Sequence, residues 1–285
     1  MEEAIRKAEV LLEALPYIKK FHRRIFVIKY GGSILGDDTI RHSVLEDIVF
    51  LSYMGIKPVL VHGGGPNISE RMRNSGKKAE FINGMRVTDE ETLKIVEEEL
   101  SEINDLIVSD IKELGGRALG LSGKDNRIIQ AQKKQGPVDL GLVGEITGIN
   151  NEVILEELKG ETVVVICPMG RGSDKKTYNV NADEAASHIA WSLAAEKLVV
   201  LTDVKGIMRN PQDKESFLST LTIQEARSLI NDNVIQEGMI PKVEACITAL
   251  EKDVKKTHII DARTPHGLLL EIFTDQGIGT EIVRS

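Results

Sequence analysis

Apolar residues at Ile5, Ala8, Leu12 and Leu15, with Glu and Lys facing the other way, repeat at the spacing of one helix face and predict a helix over residues 2–15. Pro16 removes a backbone donor and crowds the preceding turn, so the helix is expected to stop or kink there before Tyr17-Ile18 continues. Packing on its own domain and pairing with another subunit both account for such a helix. From Ile25 onward short β-rich runs alternate with longer helical patterns. IFVIKY is followed by a helical stretch at 39–54, PVLVHG by one at 66–76, and a third at 89–114 precedes RALGL. That alternation predicts parallel strands joined by right-handed crossovers. Residues 126–149 lack a long helical pattern and carry IIQAQ and GLVGEI between Gly-bounded turns, which predicts a β-hairpin excursion. Beyond it the pattern gives helix 151–159, strand 162–167, helix 182–195, strand 197–203, helices 222–230 and 241–251, strand 257–260, helix 265–272 and a last strand 278–283. The polar stretch GRGSDKKTY, 170–178, is the expected boundary between lobes. The fold class expected is α/β, an open and mainly parallel central sheet sandwiched by helices.

Three Gly-rich turns follow strand-like runs: Lys29-Tyr30-Gly31-Gly32-Ser33, His62-Gly63-Gly64-Gly65-Pro66 and Gly170-Arg171-Gly172. In an open parallel sheet the strand ends face the ligand crevice, and glycine lets backbone N–H groups approach a phosphate. Together the turns suggest an anion cradle, although a tight connection suffices for Gly170 and Gly172 taken alone. The two commonest nucleotide motifs fail. Ile68 stands where a dinucleotide fingerprint needs its third glycine; a P-loop at Gly123-Lys124 would need glycine at Ala118 and Ser or Thr at Asp125.

Charged groups at the edges of these turns carry the candidate chemistry. Lys29 ends the first strand beside Gly31-Gly32, where a cation would face an incoming phosphoryl group. Lys242 lies in the first turn of a helix, where it opposes the helix dipole, so local stability does not explain it. Asn179, Asn181 and Asp183 cluster at the start of another helix; capping accounts for one residue of this type, not three. Arg86 precedes Thr88, an expected N-cap with Glu91 three residues on, and its guanidinium suits a carboxylate. His62 lacks a Ser or Cys nucleophile in a triad pattern, and a strand-end histidine more often satisfies neighbouring backbone.

Composition narrows the partners. At 285 residues with 41% hydrophobic and 28% charged, the chain is a packed fold of one large domain or two modest ones. Its 36 Lys and Arg against 44 Asp and Glu give a net charge of −8, and aromatics are 4%, so nucleic acid is not an expected partner. Cys167 and Cys246 sit alone in apolar contexts with no leader pattern upstream, which predicts reduced, buried thiols in a cytoplasmic protein. No apolar run approaches the roughly 20 residues that cross a bilayer, so no membrane partner is expected.

KYGG, VHGGGP, NGMRVTD, NVNADEAA, LTDVKGI and EGMIPK, in this order, resemble the acetylglutamate kinases of the amino-acid-kinase superfamily over residues 8–285. The superfamily shares the first glycine turn and LTDVKGI; NGMRVTD with the NVNAD and EGMIPK pair narrows the resemblance to the acetylglutamate members. It implies phosphorylation of the side-chain carboxylate of N-acetyl-L-glutamate by ATP, the second step of arginine biosynthesis. The implied phosphoryl-transfer lysines are Lys29 and Lys242, organised by Asp183. Nucleotide contacts are implied at Gly31, Gly32, Thr202, Asp203 and Gly206, and acceptor contacts at Gly64, Gly65, Arg86, Asn179 and Asn181. Mg2+ would arrive on ATP, so no dedicated metal site is expected in the sequence. The chemistry agrees: a carboxylate, with a reference pKa near ~4.3, is already ionised and needs no general base. What it needs is in-line alignment and relief of repulsion between two anions.

EALPYIKKF resembles the kinked N-terminal helix of arginine-inhibited hexamers, trimers of dimers joined by those helices, and HGLLLEIF with GIGT resembles their effector segment. The resemblance therefore implies inhibition by L-arginine near Tyr17, His266, Glu271 and Gly279. The implied organisation is an oligomerisation helix 1–22, an acetylglutamate-binding and dimerising lobe 23–175, and a lobe 176–285 for ATP and arginine. Ile103-Asn104-Asp105 departs from the family's usual Val-Asn-Lys. Rival expectations are a kinase of the same fold acting on glutamate or aspartate, and a catalytically silent arginine sensor.

Overall fold

The runs IFVIKY, KPVLVH, TVVVIC and KLVVLT are apolar at almost every position, and each is buried along nearly its whole length. Continuous burial of that kind requires helices on both faces of the sheet. The computed structural model describes residues 1–285 except 83, 211, 237, 275 and 276, and the side chains of all but 2–4, 6–8, 10, 11, 33 and 214. Asn83 of NGMRVTD, Glu237 of EGMIPK and the side chains of Ala8 and Ser33 thus lie outside the described residues.

Helix α1 (Glu2–Phe21) precedes β1 (Ile25–Tyr30), the short α2 (Gly32–Leu35), α3 (Asp38–Tyr53), β2 (Lys57–His62) and α4 (Gly65–Asn74). A small hairpin, β3 (Phe81–Ile82) and β4 (Met85–Arg86), leads to the long α5 (Glu90–Glu113) and β5 (Arg117–Ser122). Next come β6 (Ile129–Lys133), β7 (Gly144–Ile149), α6 (Glu152–Glu157), β8 (Thr162–Cys167), β9 (Met169–Arg171), β10 (Thr177–Asn179) and α7 (Ala182–Ser192). The last third holds β11 (Lys197–Thr202), β12 (Thr220–Thr222), α8 (Ile223–Asn231), α9 (Ile240–Glu251), β13 (Lys256–Asp261), α10 (Gly267–Phe273) and β14 (Thr280–Val283).

Among the described residues, eight strands form one sheet in the order β12-β14-β13-β11-β1-β2-β8-β5. Neighbours from β13 to β5 run parallel, and β14 joins β13 antiparallel. Alternate residues feed two cores. Val27, Val59, Val164 and Val200 pack with α7 and α9 residues such as Ile189 and Ile247; Phe26, Ile28, Leu60 and Val199 pack with α3, α5 and α10 residues such as Ile48, Ile107 and Leu268. Because β1, β2 and β11 lie side by side in register, their C-terminal ends at Tyr30, His62 and Leu201 open at the same level. The glycine turns leave from there.

The hairpin excursion is present as β6 and β7, antiparallel. The polar 170–178 stretch is itself the turn of a second hairpin, β9 to β10, which joins β6 and β7 in a four-stranded sheet. The last strand starts at Thr280 rather than 278, because the Ile278 and Gly279 amides donate to Glu271 Oε2 at 2.7 and 3.0 Å instead of to a ladder. Helix α1 does not stop at Pro16; it continues with the proline inside it to Phe21. Phe21 is buried edge-to-face on Phe26 and Tyr17 meets Phe273 likewise, anchoring that end of the helix. Further out Ile5, Leu12 and Leu15 are exposed by 50%, 66% and 40%, an apolar stripe that this single chain leaves uncovered. Among the described residues no helix is long and apolar enough to cross a membrane.

Candidate active site

The Gly31-Gly32 turn after β1 and the Gly63–Gly65 turn after β2 face each other. A Cβ added to Gly32 would meet the Gly64 and Gly65 amide nitrogens at 3.0 and 2.9 Å, so only glycine permits this approach. A Cβ on Gly64 would press on Leu100 and Ile103 of α5, which underlies the second turn. The turns form the floor of a cleft of about 490 Å³. Lys29, Asp183, Lys242, Arg86, Asn179, Asn181, Thr202 and Asp203 all line it, together with Gly31, Gly32, Gly64 and Gly65. Helices α4, α7 and α9 begin at this cleft, and their free amides and dipoles favour an anion there.

Asp183 stands between the two lysines, with Oδ1 3.0 Å from Lys29 Nζ and Oδ2 3.4 Å from Lys242 Nζ. Lys29 and Asp183 are 4% and 6% exposed. Burial would raise the Asp183 pKa, but the two ammonium charges overcome it and hold the carboxylate below its ordinary range. Burial, reinforced by Lys242, pulls the Lys29 pKa down against the opposing pull of Asp183. Two cations around one anion leave a net positive charge aimed at the cleft.

Arg86 is buried and held by its neighbours. Its Nη2 donates to Gly65 O and to Ser69 Oγ, both at 2.8 Å, and its guanidinium stacks on the Phe81 ring at 4.6 Å. The Asn179 amide donates to Thr88 Oγ1 at 3.2 Å. Of the three polar residues at the start of α7, Asn181 is the cap: its Oδ1 accepts from the Asp183 and Glu184 amides. Helix α5 is capped by Asp89, not Thr88; the Thr88 hydroxyl turns back to the Arg86 carbonyl at 2.8 Å, leaving Asp89 to accept from Thr92 N.

Gly206 does not line this cleft. Its φ of +134° and a notional Cβ 2.6 Å from Thr280 Oγ1 make it a packing glycine behind the Thr202-Asp203 strand end. His62 is fully buried beneath the floor. Phe81 and Gln236 line the cleft without having been singled out by sequence; an aromatic three residues before the glycine of a polar turn was the available signal for Phe81. No cluster of three metal-ligating side chains occurs among the described residues, and both Asp183 oxygens are engaged by lysines.

A second cavity, about 480 Å³, lies between α1 and the edge of the sheet and gathers Tyr17, Glu271 and Gly279. The fourth expected residue is not among them. His266 is elsewhere, held by Asp47 of α3 at 2.7 Å, and the histidine in the cavity is His258 of β13. A relay crosses its wall: Lys197 Nζ is 3.0 Å from His258 Nε2, and His258 Nδ1 is 2.7 Å from Glu271 Oε1. Burial lowers the Lys197 pKa to about 8, helped by the neighbouring Lys256 charge. A polar residue in the buried run THII was the overlooked signal for His258.

Residues 24–261 match the model of the amino acid kinase family. The acetylglutamate kinase of Petrotoga mobilis is 51% identical over 283 residues, covering 99% of this chain and 95% of that protein. That of Halothermothrix orenii is 49% identical over 288 residues, covering 100% and 99%. The chain belongs to the acetylglutamate kinases of the amino acid kinase family. Membership of a kinase family implies ATP as phosphoryl donor. Among solved structures, N-acetylglutamate synthase from Neisseria gonorrhoeae, complexed with coenzyme A and N-acetyl-glutamate, superposes with a TM-score of 0.87 at 26% identity. The match covers 98% of this acetylglutamate kinase family member but only 63% of that longer chain.

Proposed function

We propose that this chain transfers the γ-phosphoryl group of ATP to the side-chain carboxylate of N-acetyl-L-glutamate, giving N-acetylglutamyl 5-phosphate in arginine biosynthesis. The observation that carries this reading is the Lys29–Asp183–Lys242 bridge on the floor of a cleft bounded by two apposed glycine turns. The acceptor is an anion that needs no deprotonation, so the cations and amides of the cleft can serve it with no general base. Lys29, Lys242 and the Gly32, Gly64 and Gly65 amides would face the transferring phosphoryl group, and Asp183 would orient both ammonium groups without taking a proton. Arg86 and Asn179 would hold the acceptor; Gly31, Thr202 and Asp203 would border the nucleotide. Magnesium would arrive on ATP, held mostly by phosphates and water. In this division 23–175 mainly serves the acceptor and 176–285 mainly the nucleotide, with Asn179 and Gly31 each reaching across. Hydroxylamine trapping of the acyl phosphate, with acetylglutamate and glutamate side by side, tests the reading: faster turnover of the unacetylated acid would overturn it.

Arg86→Ala should raise the acceptor KM about 10- to 100-fold, the worth of a charged hydrogen-bond pair, with a smaller change in kcat. Initial rates at varied acceptor check this, and a loss confined to kcat would contradict the role.

The second cavity supports the reading of L-arginine as a feedback inhibitor in a cytoplasmic enzyme: Glu271 and Glu281 suit a guanidinium, and Lys197 and Lys256 an α-carboxylate. The uncovered stripe of α1 supports its pairing with another subunit in a hexamer built as a trimer of dimers. Removing residues 1–22 should therefore reduce the mass in light scattering from hexamer to dimer and weaken arginine inhibition, since Tyr17 lines the cavity. An unchanged mass would remove the helix from the assembly.

A further inference from the structure

His62 ends β2 directly before the glycine turn, is wholly buried, and has no route to substrate. Its Nδ1 lies 3.1 Å from the Gly63 carbonyl oxygen, and its Nε2 lies 3.1 Å from Asn104 Nδ2 of α5. A carbonyl can only accept, so Nδ1 carries the proton, and Nε2 then accepts from the asparagine. The second amide proton of Asn104 goes to Val165 O of β8 at 3.2 Å. Strand β5 makes room for this amide with Gly120, where a Cβ would stand 2.1 Å from Asn104 Oδ1. Burial holds the ring's pKa near about 4, so it stays neutral with one proton to give and one lone pair to fill.

The carbonyls of the turn are all occupied. Gly63 O receives His62, Gly64 O receives the Ile68 amide at 2.9 Å, and Gly65 O receives Arg86 and Ser69. The Gly64 and Gly65 amides, in contrast, open helix α4, where backbone N–H groups have no intrahelical acceptor. The peptide between Gly63 and Gly64 is trans, so its C=O and N–H point in opposite directions. A carbonyl tied down toward buried His62 sends the Gly64 N–H the other way, toward the Gly32 turn that its nitrogen faces.

We propose that His62 is a positioning residue: by holding the Gly63 carbonyl it aims the Gly64 amide at the phosphoryl group in flight, with Asn104 fixing the ring. This rests on reading the cleft as a phosphoryl-transfer site. The test compares two replacements. His62→Asn keeps an amide donor near the Nδ1 position; His62→Gln reaches toward Asn104 and loses the donor to Gly63. H62Q should lose about 10- to 100-fold in kcat with both KM values within about 3-fold, whereas H62N should stay within about 5-fold of wild type in kcat. Affinity for magnesium ADP with aluminium fluoride, which imitates the transferring group without an acceptor, should fall in H62Q by the same factor while ADP alone binds unchanged. Equal kcat in the two variants, a loss confined to KM, or undiminished aluminium fluoride capture by H62Q would overturn the proposal. A wild-type enzyme that prefers another acid would overturn the acetylglutamate reading instead, and the aluminium fluoride comparison would still decide the role of His62.

Discussion

Lys242→Ala is expected to lower kcat about 100- to 1,000-fold while moving the KM values of ATP and acceptor by no more than about 3-fold. The reason is where negative charge grows. In a loose phosphoryl transfer the bridging oxygen gains charge as the bond breaks, and a fixed ammonium group matters more then than in the ground state. Lys242 Nζ is held 3.4 Å from Asp183 Oδ2 and belongs to the cleft wall. It also sits in the first turn of α9, where the helix dipole disfavours a cation. Its loss removes one ion pair to Asp183 but also the dipole penalty and the repulsion on Lys29, so the unfolding midpoint should move little while activity falls. Steady-state kinetics with differential scanning calorimetry check both; a KM effect with intact kcat would contradict the assignment.

Asp183→Asn should lower kcat by at least about 100-fold and, unlike the lysine change, also destabilise the fold, by about 3–5 kcal/mol for a broken buried pair. The amide keeps the shape but not the charge. Lys29 is buried and repelled by Lys242, and Asp183 is what opposes that repulsion. Without the carboxylate the charged form of Lys29 loses its main support, and a neutral amine stabilises no phosphate. The sign of the pH dependence follows from the depressed Asp183 pKa. A carboxylate whose folded pKa lies below the unfolded value of roughly 3.9 contributes its stability above that value and loses it as pH falls through the folded pKa. The Asn variant should lack this acid-side component when unfolding is followed from pH 7 downward. An Asn variant as stable and as active as wild type would remove Asp183 from the centre of the site.

The parts of the molecule that announce themselves in sequence are those where one local force dominates. Uninterrupted apolar runs such as TVVVIC make buried parallel strands, and Lys242 stood out because a cation at a helix start is locally unfavourable. Asn179, Asn181 and Asp183 exceeded what one cap could use, and the fold indeed uses Asn181 alone for that purpose. Where several forces compete, sequence was a poorer guide. Pro16 did not end α1, because anchoring of Tyr17 and Phe21 carries the helix past it. Asp89 displaced Thr88 as cap because the threonine hydroxyl was claimed by the Arg86 carbonyl. His266 was named through the resemblance of HGLLLEIF to an effector segment, but packing sets it against Asp47 and puts His258 of the buried strand β13 in the cavity beside Glu271. Gly206 answers to Thr280, a contact between segments far apart in the chain.

Lys29 and Lys242, steered by Asp183, would neutralise the phosphoryl group as it passes between carboxylate and ADP. A crystal structure with a non-hydrolysable ATP analogue, magnesium and acetylglutamate tests it most directly. Both Nζ atoms should lie within hydrogen-bond distance of the polyphosphate oxygens, with Asp183 touching the two lysines and not the substrate. Either ammonium group turned away from the polyphosphate, or Asp183 bonded to the acceptor in place of a lysine, would contradict it.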